Sequence, residues 1–219
     1  MTRFGTAGFL WAITLVVVSA LAPMRAQAGA QVEEMLAQSV VSGLQAAIAD
    51  RPVPADYAVQ PQVREWIDGV SPRLIPKIPD YRQREDFLAT VHYEATRAGL
   101  DAQLVLGVIH HESAFRKYAI SIANARGYMQ VMPFWMRVIG SSEHNLFNLR
   151  TNLRYGCVIL RHYLDVENGD LYRALGRYNG SLGRPEYPNA VMAAMLRWQP
   201  SAEQPSAPPA IRTALPTTR

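Results

Sequence analysis

The chain has 219 residues, enough for one ordinary domain with extensions and a well-buried core. It carries 22 Lys and Arg against 18 Asp and Glu, a formal +4 that is too weak to imply nucleic-acid binding. A single cysteine, Cys157, excludes an internal disulfide, so the core alone must hold the fold.

Residues 1–28 read as a secretory signal peptide. Arg3 supplies the positive start, Phe9 to Ala22 is an apolar run broken by Pro23, and Ala26-Gln27-Ala28 is a small-x-small cleavage site. The competing reading is a retained N-terminal anchor, but the run is short of the about 20 apolar residues a bilayer span needs. No cysteine follows the cut before Cys157 to take a lipid. The expected location is periplasmic or secreted, with cleavage near Ala28 and no stable membrane anchor afterwards. Arg3 and Arg25 leave with the leader, so the charge falls from +4 to +2.

Residues 29–80 read as a helical extension and a Pro-rich connector. Val32, Met35, Leu36, Val40, Leu44, Ala47 and Ile48 recur at helical spacing, predicting a helix from Gln31 to Ala49. Pro52, Pro54, Pro61, Pro72, Pro76 and Pro79 then punctuate a connector with one short helix around Val63 to Ile67.

The compact domain is expected over residues 81–198. Phe87, Leu88, Val91, His92 and Ala95 form a helical stripe ending at Gly99. Asp101 is placed to cap a helix from Ala102 to about Arg116. A longer helix spans Leu149 to Val166, with Cys157 as a small buried hydrophobe, and Asn168-Gly169 stops it. Asp170 caps Leu171 to Tyr178, and a last helix covers about Asn189 to Trp198. No segment alternates like a strand. Residues 199–219, with five prolines and little bulky apolar content, read as a disordered tail. The fold class is all-α.

The chemistry concentrates around Glu112. It shares a helix face with Val105 and Ile109, beside a stripe of Leu104, Val108, His111 and Phe115. A carboxyl leaving the apolar side of a helix has a raised pKa and serves as a general acid. From position alone, an ion pair with Arg116 or Arg126 is an equal alternative. Ser121, Asn124 and Gly127 form the following loop, and Gln130 adds an amide. Met129, Met132, Phe134 and Trp135 line a groove or fill a core, and Tyr178-Asn179-Gly180 ends a helix.

Four blocks in order, Glu112-Ser113-Ala114-Phe115, Ala119-x-Ser121, Gly127-x-Met129-Gln130-x-Met132-Pro133 and Tyr178-Asn179-Gly180, resemble the soluble lytic transglycosylase family. This is a goose-type-lysozyme-like group acting on bacterial peptidoglycan. The resemblance runs from about Phe87 to Trp198 and implies a lysozyme-like helical domain. It implies Glu112 as the sole catalytic acid and base. It implies Ser121, Gln130, Met132, Tyr178, Asn179 and, more weakly, Tyr187 as substrate-binding residues, with Tyr178 approaching the carboxyl. Tyr128, Arg177 and Ser181 depart from the family's usual leucine, alanine and small residue.

The implied reaction cleaves the bond between N-acetylmuramic acid and N-acetylglucosamine without water, leaving 1,6-anhydro-muramoyl ends. It uses no metal and no cofactor. The implied partner is the peptidoglycan glycan strand, in general wall turnover or beside a cell-envelope secretion or conjugation machine. Three competitors stand beside it. A hydrolytic muramidase needs a second acid, for which Asp165, Glu167 and Asp170 are available. A glycan-binding module needs no turnover. A metalloprotease is suggested by His110-His111-Glu112, although the two histidines are not four apart as a zinc helix requires.

Overall fold

The computed structural model describes residues 31–49 and 51–200. The signal-peptide reading and the tail beyond residue 200 lie outside the described residues. Among these the architecture is all-α: α1 Gln38–Ile48, α2 Pro61–Leu74, α3 Tyr81–Arg97, α4 Ala102–Ser113, α5 Phe134–Ile139, α6 Leu149–Val166, α7 Leu171–Tyr178 and α8 Glu186–Arg197. A single 3-10 turn, Tyr57–Val59, precedes α2. The described residues contain no strand, only isolated bridges joining Ile120 to Arg126 and Arg126 to Val131. None of their helices is long and apolar enough to cross a membrane.

Short polar side chains start four of these eight helices. Asp80 accepts from the Gln83 amide at 2.8 Å, Asp101 from Gln103 at 2.7 Å, Asn148 from Thr151 at 3.1 Å and Asp170 from Arg173 at 3.0 Å. Each satisfies an amide that the helix leaves open and stabilises its start by about 1 kcal/mol. Gly99, at φ 64°, ends the α3 segment in the left-handed region, as its position predicts.

Five elements differ from their sequence pattern, and one of them, α5, has no sequence expectation at all. Residues 31–37 are not helical, and α1 begins only at Gln38. Side-chain contacts described below hold the earlier residues out of a helix, and Val32 and Met35 face solvent instead of a core. The short helix around Val63 is the 14-residue α2, begun by Pro61 at the position where its missing N–H costs nothing. Its stripe of Val63, Trp66, Ile67, Val70 and Leu74 is buried in the same core as α3. Helix α4 stops at Ser113, three residues early, because Ala114 and Phe115 adopt φ 49° and 67°. Helix α8 starts at Glu186, which brings Tyr187 into its first turn.

Helix α4 is the central rod. Leu104, Val105, Leu106, Val108 and Ile109 are all buried, so apolar neighbours surround it on nearly every side. Gly107 lets α8 approach closely: a Cβ there would lie 2.9 Å from the Val191 carbonyl oxygen and 3.0 Å from the Met195 nitrogen. That approach sets the distance between the C-terminal end of α4 and the first turn of α8, where the candidate site lies.

Candidate active site

Glu112 sits in the last turn of α4, half-buried. Its Oε1 accepts a 2.6 Å hydrogen bond from the hydroxyl of Tyr187, whose side chain is buried. Burial raises the Glu112 pKa to about 7, and the Tyr187 bond opposes the rise only partly. A carboxyl in this state is close to half-protonated at neutral pH, so it can give and take a proton. Burial, and then the Glu112 charge, push the Tyr187 phenol well above its ordinary value, so it remains a donor.

Neither candidate arginine partner joins Glu112 among the described residues. Arg116 Nε donates to the Ser113 carbonyl at 3.0 Å, and Arg126 Nε donates to Asn124 Oδ1 at 3.3 Å. The histidines also face separate neighbours. His110 Nδ1 accepts from Trp198 Nε1 at 3.1 Å, while His111 meets the Tyr187 ring edge-on with centroids 4.9 Å apart.

The backbone just after Glu112 is strained. Two consecutive non-glycine residues, Ala114 and Phe115, take positive φ, each costing about 1 to 3 kcal/mol. The core holds them there: Phe115 packs edge-on against Phe87, His110 and Trp198. The strain turns the chain sharply out of α4 and leaves the carboxyl at a helix end instead of inside a continuing turn.

The loop from 119 to 131 forms the next wall, and Asn152 of α6 pins it. This fully buried amide accepts from the Met129 N–H at 2.8 Å and donates to the Arg126 and Leu146 carbonyls, both at 2.8 Å. No sequence cue marked Asn152; an Asn inside a helical stripe signals only a polar residue that must find partners. Gly127, at φ 75°, lies directly against this amide, where any side chain would clash.

Residues 89–190 match the family described as Transglycosylase SLT domain. The match covers a little under half of the chain. The chain is also similar to curated proteins named membrane-bound lytic murein transglycosylase C. The relative from Haemophilus influenzae (strain PittEE) is 33% identical over 133 residues, covering 53% of this chain and 37% of that protein. The relative from Histophilus somni (strain 2336) is 40% identical over 128 residues, covering 50% and 35%. The chain thus spans little more than a third of the length of these relatives. A crystal structure of an inactive mutant of the lytic transglycosylase Slt from Pseudomonas aeruginosa matches with TM-score 0.42 and 19% identity, over 74% of this chain and 34% of that one.

The structure distributes the remaining expected site residues unevenly. Tyr178 is buried, and its hydroxyl donates to the Met129 carbonyl at 2.8 Å, while Tyr187 takes the direct contact with the carboxyl. Tyr178 nevertheless senses Glu112: burial, and then that charge, raise its pKa well above the ordinary value. Gln130 adopts φ 49°, and its Nε2 donates to the Ala119 and Gly127 carbonyls at 3.1 and 2.9 Å, so its amide nitrogen braces the loop. Ser121 Oγ accepts from the Ala125 N–H at 3.1 Å and closes a tight turn. Met132 is half-buried beside them. Asn179 Nδ2 donates to Ser181 Oγ at 3.0 Å, and its Oδ1 is buried without a hydrogen-bond partner among the described residues.

The three residues that depart from the family's usual pattern have physical roles. Tyr128 is buried and packs edge-on against Phe87, with centroids 5.1 Å apart. Ser181 is the acceptor for Asn179. Arg177 is ion-paired to Glu167 and, at 3.6 Å, to Glu34 of the segment before α1.

Proposed function

We propose that this chain is a peptidoglycan lytic transglycosylase in which Glu112 is the single acid and base. The observation that carries the reading is a lone carboxyl held half-buried by Tyr187 with its pKa near 7. The SLT match and the names of the relatives supply the substrate class.

In this reaction Glu112 protonates the oxygen between N-acetylmuramic acid and N-acetylglucosamine. Positive charge grows on the muramoyl C1, and the 2-acetamido group of the same sugar stabilises it, replacing the second carboxylate of most glycosidases. Glu112, now ionised, takes the proton of the C6 hydroxyl, which closes on C1 to give the 1,6-anhydro end. Tyr187 holds the carboxyl in one orientation through both transfers and stabilises its ionised form between them. The glycan is assigned to the surface of the loop from Ser121 to Met132, which the buried Tyr178 braces from beneath through the Met129 carbonyl.

The downstream acids support a one-carboxylate site, because each is occupied elsewhere. Glu167 is ion-paired with Arg173 and Arg177, Asp165 with Arg161, and Asp170 caps α7. The reading also places the protein in the cell envelope, where its substrate is.

Mass spectrometry of soluble products from purified peptidoglycan tests it. Anhydro-muropeptides from the wild type and none from Glu112→Gln are expected. Products with reducing ends would make the enzyme a hydrolase. Wall binding with no products would make it a docking module.

A further inference from the structure

The segment before α1 reaches the candidate groove. Gln31 is buried although it lies at the start of an otherwise exposed stretch, residues 32–35. Its Oε1 accepts from the indole Nε1–H of Trp135 at 2.9 Å and from the backbone N–H of Met132 at 3.4 Å. The same side chain interacts with Tyr178. Met132 and Tyr178 are substrate-binding residues in the reading above, so Gln31 sits among them.

A glutamine side chain ends in a carboxamide. The substrate carries an acetamido group on each sugar, with the same carbonyl acceptor and N–H donor. Two N–H groups converging on one carbonyl oxygen, with a phenol beside it, offer the donors that the carbonyl of either group accepts. We propose that residues 31–37 form a strap that occupies this acetamido-binding position with Gln31, so that a glycan strand must displace the strap to bind. The proposal rests on the glycan-cleaving reading of the groove.

The fastenings of the strap suit a removable element. Glu33 pairs with Arg137 at 3.4 Å and Glu34 with Arg177 at 3.6 Å. The Glu33–Arg137 pair is well exposed and the other partly so, and such pairs are weak and screened by salt. Arg177 stands where the family usually has alanine, so one anchor of the strap is a departure of this chain. Val32 and Glu34 also leave a cavity of about 240 Å³ against Tyr163, Arg177, Gly180 and Leu182. Leu36 adds a partly buried apolar contact with the core, but residues 32–35 are exposed, so most of the segment is held by the Gln31 carboxamide and two weak ion pairs.

Calorimetric binding of an N-acetylglucosamine tetramer to the full chain decides the matter. Glu112→Gln serves as the background, so that nothing is cleaved. Adding Gln31→Ala should tighten apparent binding about tenfold, the effect of a strap closed about nine-tenths of the time. Paired Glu33→Ala and Glu34→Ala, outside the groove, should tighten it by a smaller factor, and the difference from the background should shrink in high salt. Thermal melts confirm that each variant is folded. Equal or weaker binding after Gln31→Ala overturns the strap and makes Gln31 part of the permanent floor. So does tetramer binding to none of the forms. Product release from the Glu112-intact protein reports separately on catalysis: its presence with a failed strap test leaves the activity standing. Its absence alongside tighter Gln31→Ala binding leaves the strap standing and removes the activity.

Discussion

The Tyr187 hydroxyl and the Glu112 carboxyl meet at 2.6 Å across the contact between α8 and α4. The bond lowers the acid's pKa while burial raises it, so Tyr187 restrains a carboxyl that the core would otherwise keep protonated. Tyr187→Phe should therefore move the alkaline limb of the pH–rate profile to higher pH. Because the freed carboxyl also loses its orientation, kcat should fall about tenfold or more. A pH profile of anhydro-muropeptide release reads both effects. An unmoved limb would show that the bond does not set the titration.

The pKa of about 7 has a sign that extends to stability. The folded-state value lies above the ordinary 4.5, so the native protein holds a proton that the unfolded chain releases earlier. The stability tied to Glu112 is therefore full below about pH 4.5 and is lost as pH rises through about 7. Glu112→Gln removes that loss. Above pH 7 the variant should be more stable than the wild type by up to about 3 kcal/mol, with the gap closing in acid. Urea denaturation at pH 5 and pH 8 measures it. For catalysis the same group must begin protonated, so the wild-type rate should fall as pH rises past 7.

Asn152 fastens the loop wall with three hydrogen bonds of 2.8 Å. Asn152→Ala leaves the Met129 N–H and the Leu146 carbonyl without their partner, while the Arg126 carbonyl keeps the Val131 N–H, and the loss costs about 2 to 4 kcal/mol. The loss should appear as a lower midpoint of unfolding. Activity should fall further than the folded fraction explains, because Met129 also carries the carbonyl that receives Tyr178.

The helical frame was legible because its signals are local. Caps such as Asp101 and Asp170 and the stop at Gly99 act within one turn, and the structure places helix starts and an end at them. The lone acid on the apolar face of α4 was legible for the same reason. The strained turn at Ala114 and Phe115 was not, since neither residue type favours positive φ and only packing against Phe87 and Trp198 enforces it. Asn152 and Gln31 are long-range cases. Each amide acts on partners distant in the chain, 101 and 104 residues away for Gln31, and no local pattern reports such a contact. The spacing of residues 31–37 suited a helix, but tertiary contacts hold that stretch in a non-helical path.

Gly107 links the helical frame to the chemistry. Its missing side chain lets the α8 backbone lie against α4, with Val191 O 2.9 Å from where a Cβ would stand. The opposing atoms are backbone, so they cannot swing away as a flexible side chain would. Gly107→Ala must push α8 outward by a few tenths of an ångström or more, at a cost of about 1 to 3 kcal/mol. Tyr187 rides on the first turn of α8, so the same shift stretches its bond to Glu112. The expected result is a rate about tenfold lower in a protein that remains folded at room temperature, with the alkaline limb displaced in the same direction as in Tyr187→Phe. A variant that is destabilised yet keeps the wild-type pH profile would show that the carboxyl's environment does not depend on the closeness of these two helices.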